Sequence, residues 1–152
     1  MTLLADQGLS VDVPPGWEGR IFTPELPPPA QNHPVLHLAD VSLPLERSSY
    51  VETTSTLHRA RRGMVCSLVS FGPDLADVGL YAPKGVPRIH PHDLDPRALQ
   101  VPAHDQAGVQ RFFSLAGIAF SLYVVASVDL HTAARLRAVN QALASLRVEG
   151  AS

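Results

Sequence analysis

Three histidines, His90, His92 and His104, come nearest to a chemical constellation in this chain. His90-Pro91-His92-Asp93 places two imidazoles at i and i+2, on one side of an extended segment, with Asp95 close behind. His104-Asp105 lies in the same proline-rich region. Two or three imidazoles with a carboxylate make a zinc ligand set, the carboxylate either binding the ion or accepting from a ring N–H. No ligand pair here has helical i, i+4 spacing and no Cys-x-x-Cys accompanies them, so the same spacing suits a solvated loop. A small metal- or ligand-binding protein using this loop is therefore the alternative reading of function. The leading reading assigns neither metal nor cofactor.

Nucleophiles are no better placed. His104-Asp105 would need a serine, but no Gly-x-Ser-x-Gly elbow exists and Ser121 falls inside an apolar run. Cys66 is the only cysteine, set in MVCSLV with no cation beside it, which predicts a reduced, buried thiol. No glycine-rich phosphate loop follows any strand.

What remains are recognition features. His58-Arg59-Ala60-Arg61-Arg62 is the sole basic cluster, and Arg59, Arg61 and Arg62 can grip an acidic partner or cap a solvated helix end. With 12 Lys and Arg against 14 Asp and Glu, the formal charge is −2, which predicts no nucleic-acid partner and no pull toward anionic membrane. Trp17, the only tryptophan, either anchors a partner or fixes the first hairpin by packing. Around Pro27, Pro28 and Pro29, the stretch Pro24 to Pro34 suits an extended arm that loses little entropy on docking.

The elements that position these residues are organised around VQRFFSLAGIAFSLYVVASV, Val109 to Val128. From Ile118 to Val125 every residue except Ser121 is apolar or aromatic, which suits a central strand covered on both faces. Val109 to Leu115 is more polar and should be more exposed, with Ala116-Gly117 as the turn between the two strands. Arg111 and Gln110 interrupt the run, so no membrane span is predicted. Gly8 to Val13 reads as a strand that turns at Pro14-Pro15-Gly16 and returns as Trp17 to Phe22. Further strands are predicted at Val35 to Val41 and Met64 to Phe71, with short ones near Gly79 to Ala82 and Ala98 to Val101. A short helix is predicted within Ser48 to Arg62. A longer one begins at Thr132, with Leu136, Val139, Leu143 and Leu146 as one apolar stripe and Gly150 as its end.

With 152 residues, 45% hydrophobic and 17% charged, the chain reads as one globular domain, residues 1–152, of α+β class. The expected architecture is a central, mostly antiparallel sheet with helices packed on its faces. The N-terminal residues lack a basic region and a long apolar stretch, so no secretory signal is predicted and the cytoplasm is the expected location.

Gly8 to Trp17 (GLSVDVPPGW), the strand Val35 to Val41, Arg111-Phe112-Phe113 leading into Ile118 to Val125, and the last helix running into Ser145 to Val148 together resemble the PsbP-like superfamily. That superfamily includes an extrinsic photosystem II subunit and a yeast Ran-release factor. The likeness is nearest to uncharacterised bacterial members and implies an α/β/α sandwich and an accessory, non-enzymatic role. The expected function is thus a docking subunit that binds a protein partner within a larger assembly, with Trp17, Pro27, Pro28, Pro29, Arg59, Arg61 and Arg62 as contact residues. A homo-oligomer is compatible with this reading.

Overall fold

A computed structural model of the protein describes residues 1–25, 27, 29, 32–43, 56–57 and 62–149. Among them are eight strands: β1 (Thr2–Asp6), β2 (Leu9–Val13), β3 (Glu18–Phe22), β4 (Val35–Ala39), β5 (Met64–Gly72), β6 (Gln106–Leu115), β7 (Ile118–Ser127) and β8 (Arg147–Val148). One long helix, α1, spans Thr132–Ala144. The strands form two antiparallel sheets, one of order β1-β2-β8 and one of order β3-β4-β5-β7-β6.

The expected α+β class is therefore corrected: the described protein is mostly β. Among the described residues no α/β/α sandwich forms, because a second sheet shares with the helix the face given to helices alone. Val11 of β2 and Leu36, Cys66, Leu122 and Val124 of the larger sheet share one apolar cluster with Leu136, Val139 and Leu143 of α1. The small sheet and α1 thus lie side by side on one face of the large sheet. Two local readings caused the error. Thr2–Asp6 carries too little alternation to announce itself, yet Gln7 (φ 50°) and Gly8 (φ 82°) turn it back as a two-residue hairpin onto β2. Pro14-Pro15-Gly16 is not a hairpin turn: β2 and β3 belong to different sheets, and the corner carries the chain between layers.

The hairpin expected at the centre is there. β6 and β7 pair from Gln106↔Ser127 to Leu115↔Ile118, joined by Ala116 (φ 52°) and Gly117 (φ 76°). β7 is buried along nearly its whole length, while β6, at the sheet edge, leaves Gln110 exposed. Leu136, Val139 and Leu143 are buried as their helical spacing requires, but α1 stops at Ala144 and not at Gly150: Leu146 is buried from the turn beyond it, and Arg147–Val148 pair as β8. Thr132 contributes otherwise than as a simple cap: its hydroxyl accepts from Asp129 N–H (3.0 Å) and donates toward Ser127 O (3.1 Å), locking the turn from β7 into the helix.

Two further expectations change. The strands predicted near Gly79 to Ala82 and Ala98 to Val101 are single 3-10 turns at Gly79–Tyr81 and Pro96–Ala98. The helix expected within 48–62 falls mostly outside the described residues. Within them, Thr56 and Leu57 are helical and buried, Leu57 against Ala39, Val65, Tyr123 and Val125 on the other face of the large sheet.

A candidate docking tip and the groups around it

The segment after β5 runs outward and returns alongside β6, and Ser114 of β6 fastens it there. Ser114 is 2% exposed. Its N–H donates to Pro83 O and its carbonyl accepts from Gly85 N–H, both at 2.8 Å. Its hydroxyl accepts from Asp77 N–H at 2.8 Å and donates to Tyr81 O at 2.7 Å. The Tyr81 ring adds an apolar anchor, lying 5.9 Å from Phe71 and edge-on to Phe112 at 5.7 Å. Asp77 takes φ 65° and Gly79 φ 56°, left-handed geometry that Asp and Gly adopt at low cost. The result is a tightly braced loop that carries Leu75, Val78 and Leu80 outward at 46%, 60% and 66% exposure. Single exposed apolar side chains are ordinary, but three on one pinned loop make a candidate contact surface whose ordering cost is already met by the fold.

The histidine loop does not assemble a metal site. Pro91–Asp93 form a 3-10 turn on which the rings of His90 and His92 stack at 5.3 Å and 6°. Asp93 is engaged elsewhere: it accepts from His90 N–H at 2.8 Å and faces Arg111 at 3.4 Å. The His90 N–H bond first, and the Arg111 charge after it, hold its carboxyl below the usual range despite some desolvation. His104 lies exposed. Among the described residues no group of three His, Cys, Asp or Glu side chains is placed to hold an ion.

Sequence reasoning passed over one imidazole–hydroxyl pair. Arg20, His37, Ser67, Tyr123 and Gln110 fall in register across all five strands of the large sheet. His37 Nδ1 and Ser67 Oγ are hydrogen-bonded at 2.8 Å, with Phe22 5.4 Å from the imidazole. Strand alternation of His37, Ser67 and Tyr123 was the available signal, but it needs the register to become visible. The pair has the elements of a nucleophile and base, yet the residues are 1% and 0% exposed, so no substrate carbonyl reaches them. Tyr123 instead ties down the 96–100 segment, accepting from Gln100 N–H at 3.0 Å.

Cys66 is buried as expected, and burial pushes its thiol up to about 12, far from a thiolate nucleophile. Trp17 is half-buried against the main core, so most of its apolar area is spent on packing. Pro27 and Pro29 are exposed, as is Arg62. Pro28, Arg59 and Arg61 lie outside the described residues. Of the sequence-predicted contact residues the structure thus describes Trp17, Pro27, Pro29 and Arg62, and the tip at 75–81 was missed because nothing in GPDLADVGLY announces a braced loop.

Two adjoining hollows lie where the β1–β2 turn meets Val148 and Glu149. One, of about 230 Å³ between His33, Ser70, Gly72 and Ile118, is smaller than the ~300–1,000 Å³ of ligand pockets. The other, of about 350 Å³, is walled by the turn backbone with Asp6, Arg147 and Glu149, charges of both signs that favour no one ionic ligand. In the smaller hollow Gly72 (φ 77°) leaves the space that the His33 ring fills.

No described helix is long and apolar enough to cross a membrane. No family model matches this chain, and neither does any curated protein or solved structure.

Proposed function

We propose that this chain is a non-enzymatic accessory domain, working in the cytoplasm, that docks a protein partner through the braced tip at 75–81. The observation that carries the reading is Ser114 fixing a loop whose three apolar side chains face solvent. A rigid, exposed apolar loop binds at little conformational cost, and Leu80 and Val78 are the anchors. Asp74 and Asp77, both exposed beside them, favour a partner with an apolar centre and a basic rim. The exposed prolines Pro27 and Pro29 offer a second contact to the same assembly.

The test compares tagged wild-type protein with Leu80→Asp and Val78→Asp in affinity purification from the native host. The reading predicts a stoichiometric partner with wild type that is lost from both variants, while their circular dichroism and melting temperature stay unchanged. Retention of the same partner by both folded variants would overturn it, as would a wild-type protein that elutes alone.

A further inference from the structure

The edges of the two sheets are not treated alike. The outer edge of β6 is closed at both ends by isolated pairings, Lys84 with Ser114 and Asp95 with Gly108. Asp95 and Gly108 exchange both backbone bonds, at 2.8 and 3.1 Å. β8 is only two residues long, and on its side of β2 Asp12 N–H is taken by Ser145 Oγ at 2.8 Å. Short or covered edges are how sheet proteins avoid pairing with other chains.

Among the described residues β1 has no such protection. Its sequence, TLLAD, holds neither proline nor lysine, it carries no bulge, and four of its five residues are exposed. The direction of its free groups follows from the hairpin. A two-residue turn makes Asp6↔Leu9 a hydrogen-bonded pair, so Leu4↔Val11 and Thr2↔Val13 are bonded pairs too. Leu3↔Asp12 and Ala5↔Ser10 are then the non-bonded pairs. The Asp12 N–H pointing to Ser145, away from β1, agrees with that parity. The N–H and C=O of Leu3 and Ala5 therefore point outward, and no other described residue bonds to them.

From this geometry we infer that β1 is a self-pairing edge, joining two copies of this chain by antiparallel β1–β1 pairing about a two-fold axis at Leu4. In that register Leu3 of one copy faces Ala5 of the other, and these two equivalent pairs exchange four backbone hydrogen bonds. The Leu3 side chain, 67% exposed, covers the partner's Ala5 on the outer face. Asp6, the only charge on the strand, meets the partner's Thr2 hydroxyl and not a second carboxylate, so the pairing carries no like-charge contact. A foreign strand has no such matching built in. Five residues bury less than the ~1,200 Å² of standard interfaces, so the dimer is a weak, concentration-dependent one.

The test is analytical ultracentrifugation with amide hydrogen exchange across a concentration series. Pairing predicts a rise from monomer toward dimer mass between low and high micromolar protein. The Leu3 and Ala5 amides should exchange at least about tenfold more slowly at the high end. Leu3→Pro removes an outward N–H and no intramolecular bond, so it should stay folded and monomeric throughout. A wild type that remains monomeric, or that dimerises with Leu3 and Ala5 amides unprotected, overturns the inference. The exchange result stands even if Leu3→Pro fails to fold. Loss of the partner seen through the 75–81 tip would leave it untouched.

Discussion

Replacing Ser114 with alanine separates the tip from the fold that holds it. The hydroxyl makes two bonds, from Asp77 N–H and to Tyr81 O, and alanine removes both. At about 1 kcal/mol each, their loss weakens the closed loop by about 2 kcal/mol, or about 30-fold in its opening equilibrium. The backbone bonds of Ser114 to Pro83 and Gly85 survive, as does the β6–β7 ladder, so the opening is local. Amide exchange by NMR reads this directly. Asp77 should exchange about 30-fold faster in Ser114→Ala, whereas Val124, buried in β7, should exchange at its wild-type rate. Partner affinity should fall with the loss of preorganisation although no contact residue has changed. An unaltered Asp77 rate would refute the brace. Equal acceleration at Val124 would show that the loop is part of the global folding unit and not a separately held tip.

Other outcomes follow from the same structure. Arg135, whose side chain is 12% exposed, bonds Asp40 at 2.9 Å and Asp129 at 2.9 and 3.0 Å, tying α1 to the end of β4. Arg135→Ala removes the cation from both carboxylates, which keep only their Met64 and His131 N–H bonds, and should cost about 2–3 kcal/mol, a fall of about 4–12 °C by calorimetry, the partial exposure of the aspartates setting the lower end. Burial opposes ionisation of Asp129, but the Arg135 and His131 bonds outweigh it and keep its carboxyl below the usual range. Its contribution to stability is therefore full above the unfolded value near ~4 and is lost as pH falls through the lower folded value; Asp129→Asn should flatten that acid limb in pH-dependent melts. Gly72→Ala places a Cβ 2.5 Å from the His33 ring at φ 77° and should destabilise by about 1–3 kcal/mol in urea titration. Native Cys66 should resist a thiol reagent at pH 8 and react fully once the chain is unfolded in denaturant.

The parts legible in the sequence were those encoded by strong local periodicity. Ile118 to Val125 form the buried strand their composition required, and Leu136, Val139 and Leu143 form the inner stripe of a helix. What stayed hidden depended on partners far away in the chain. Thr2–Asp6 becomes a strand because β2 lies beside it, and β2 belongs to a second sheet because β8, some 140 residues on, pairs with it. Pro14-Pro15-Gly16 has the composition of a hairpin turn and serves as a corner, since turn residues fix bending and not which sheet the next strand enters. The same limit applies to the candidate sites. His90 and His92 looked like ligands by spacing, yet their local turn stacks the two rings. His37 and Ser67 looked unrelated, yet register brings them to 2.8 Å. The docking tip was invisible because its defining residue, Ser114, lies 33 positions from Tyr81.

The most direct measurement of the docking reading is site-specific photo-crosslinking in the native host, with a photoreactive residue at Leu80 or, as control, at Leu130. Leu130 is more exposed, at 97% against 66%, but lies on the turn between β7 and α1, at the opposite end of β7 from the Ser114↔Ala119 pair that holds the tip. Docking through the tip predicts one protein adduct from position 80 and none of that mass from position 130. No adduct at 80, or the same adducts at both positions, would contradict it.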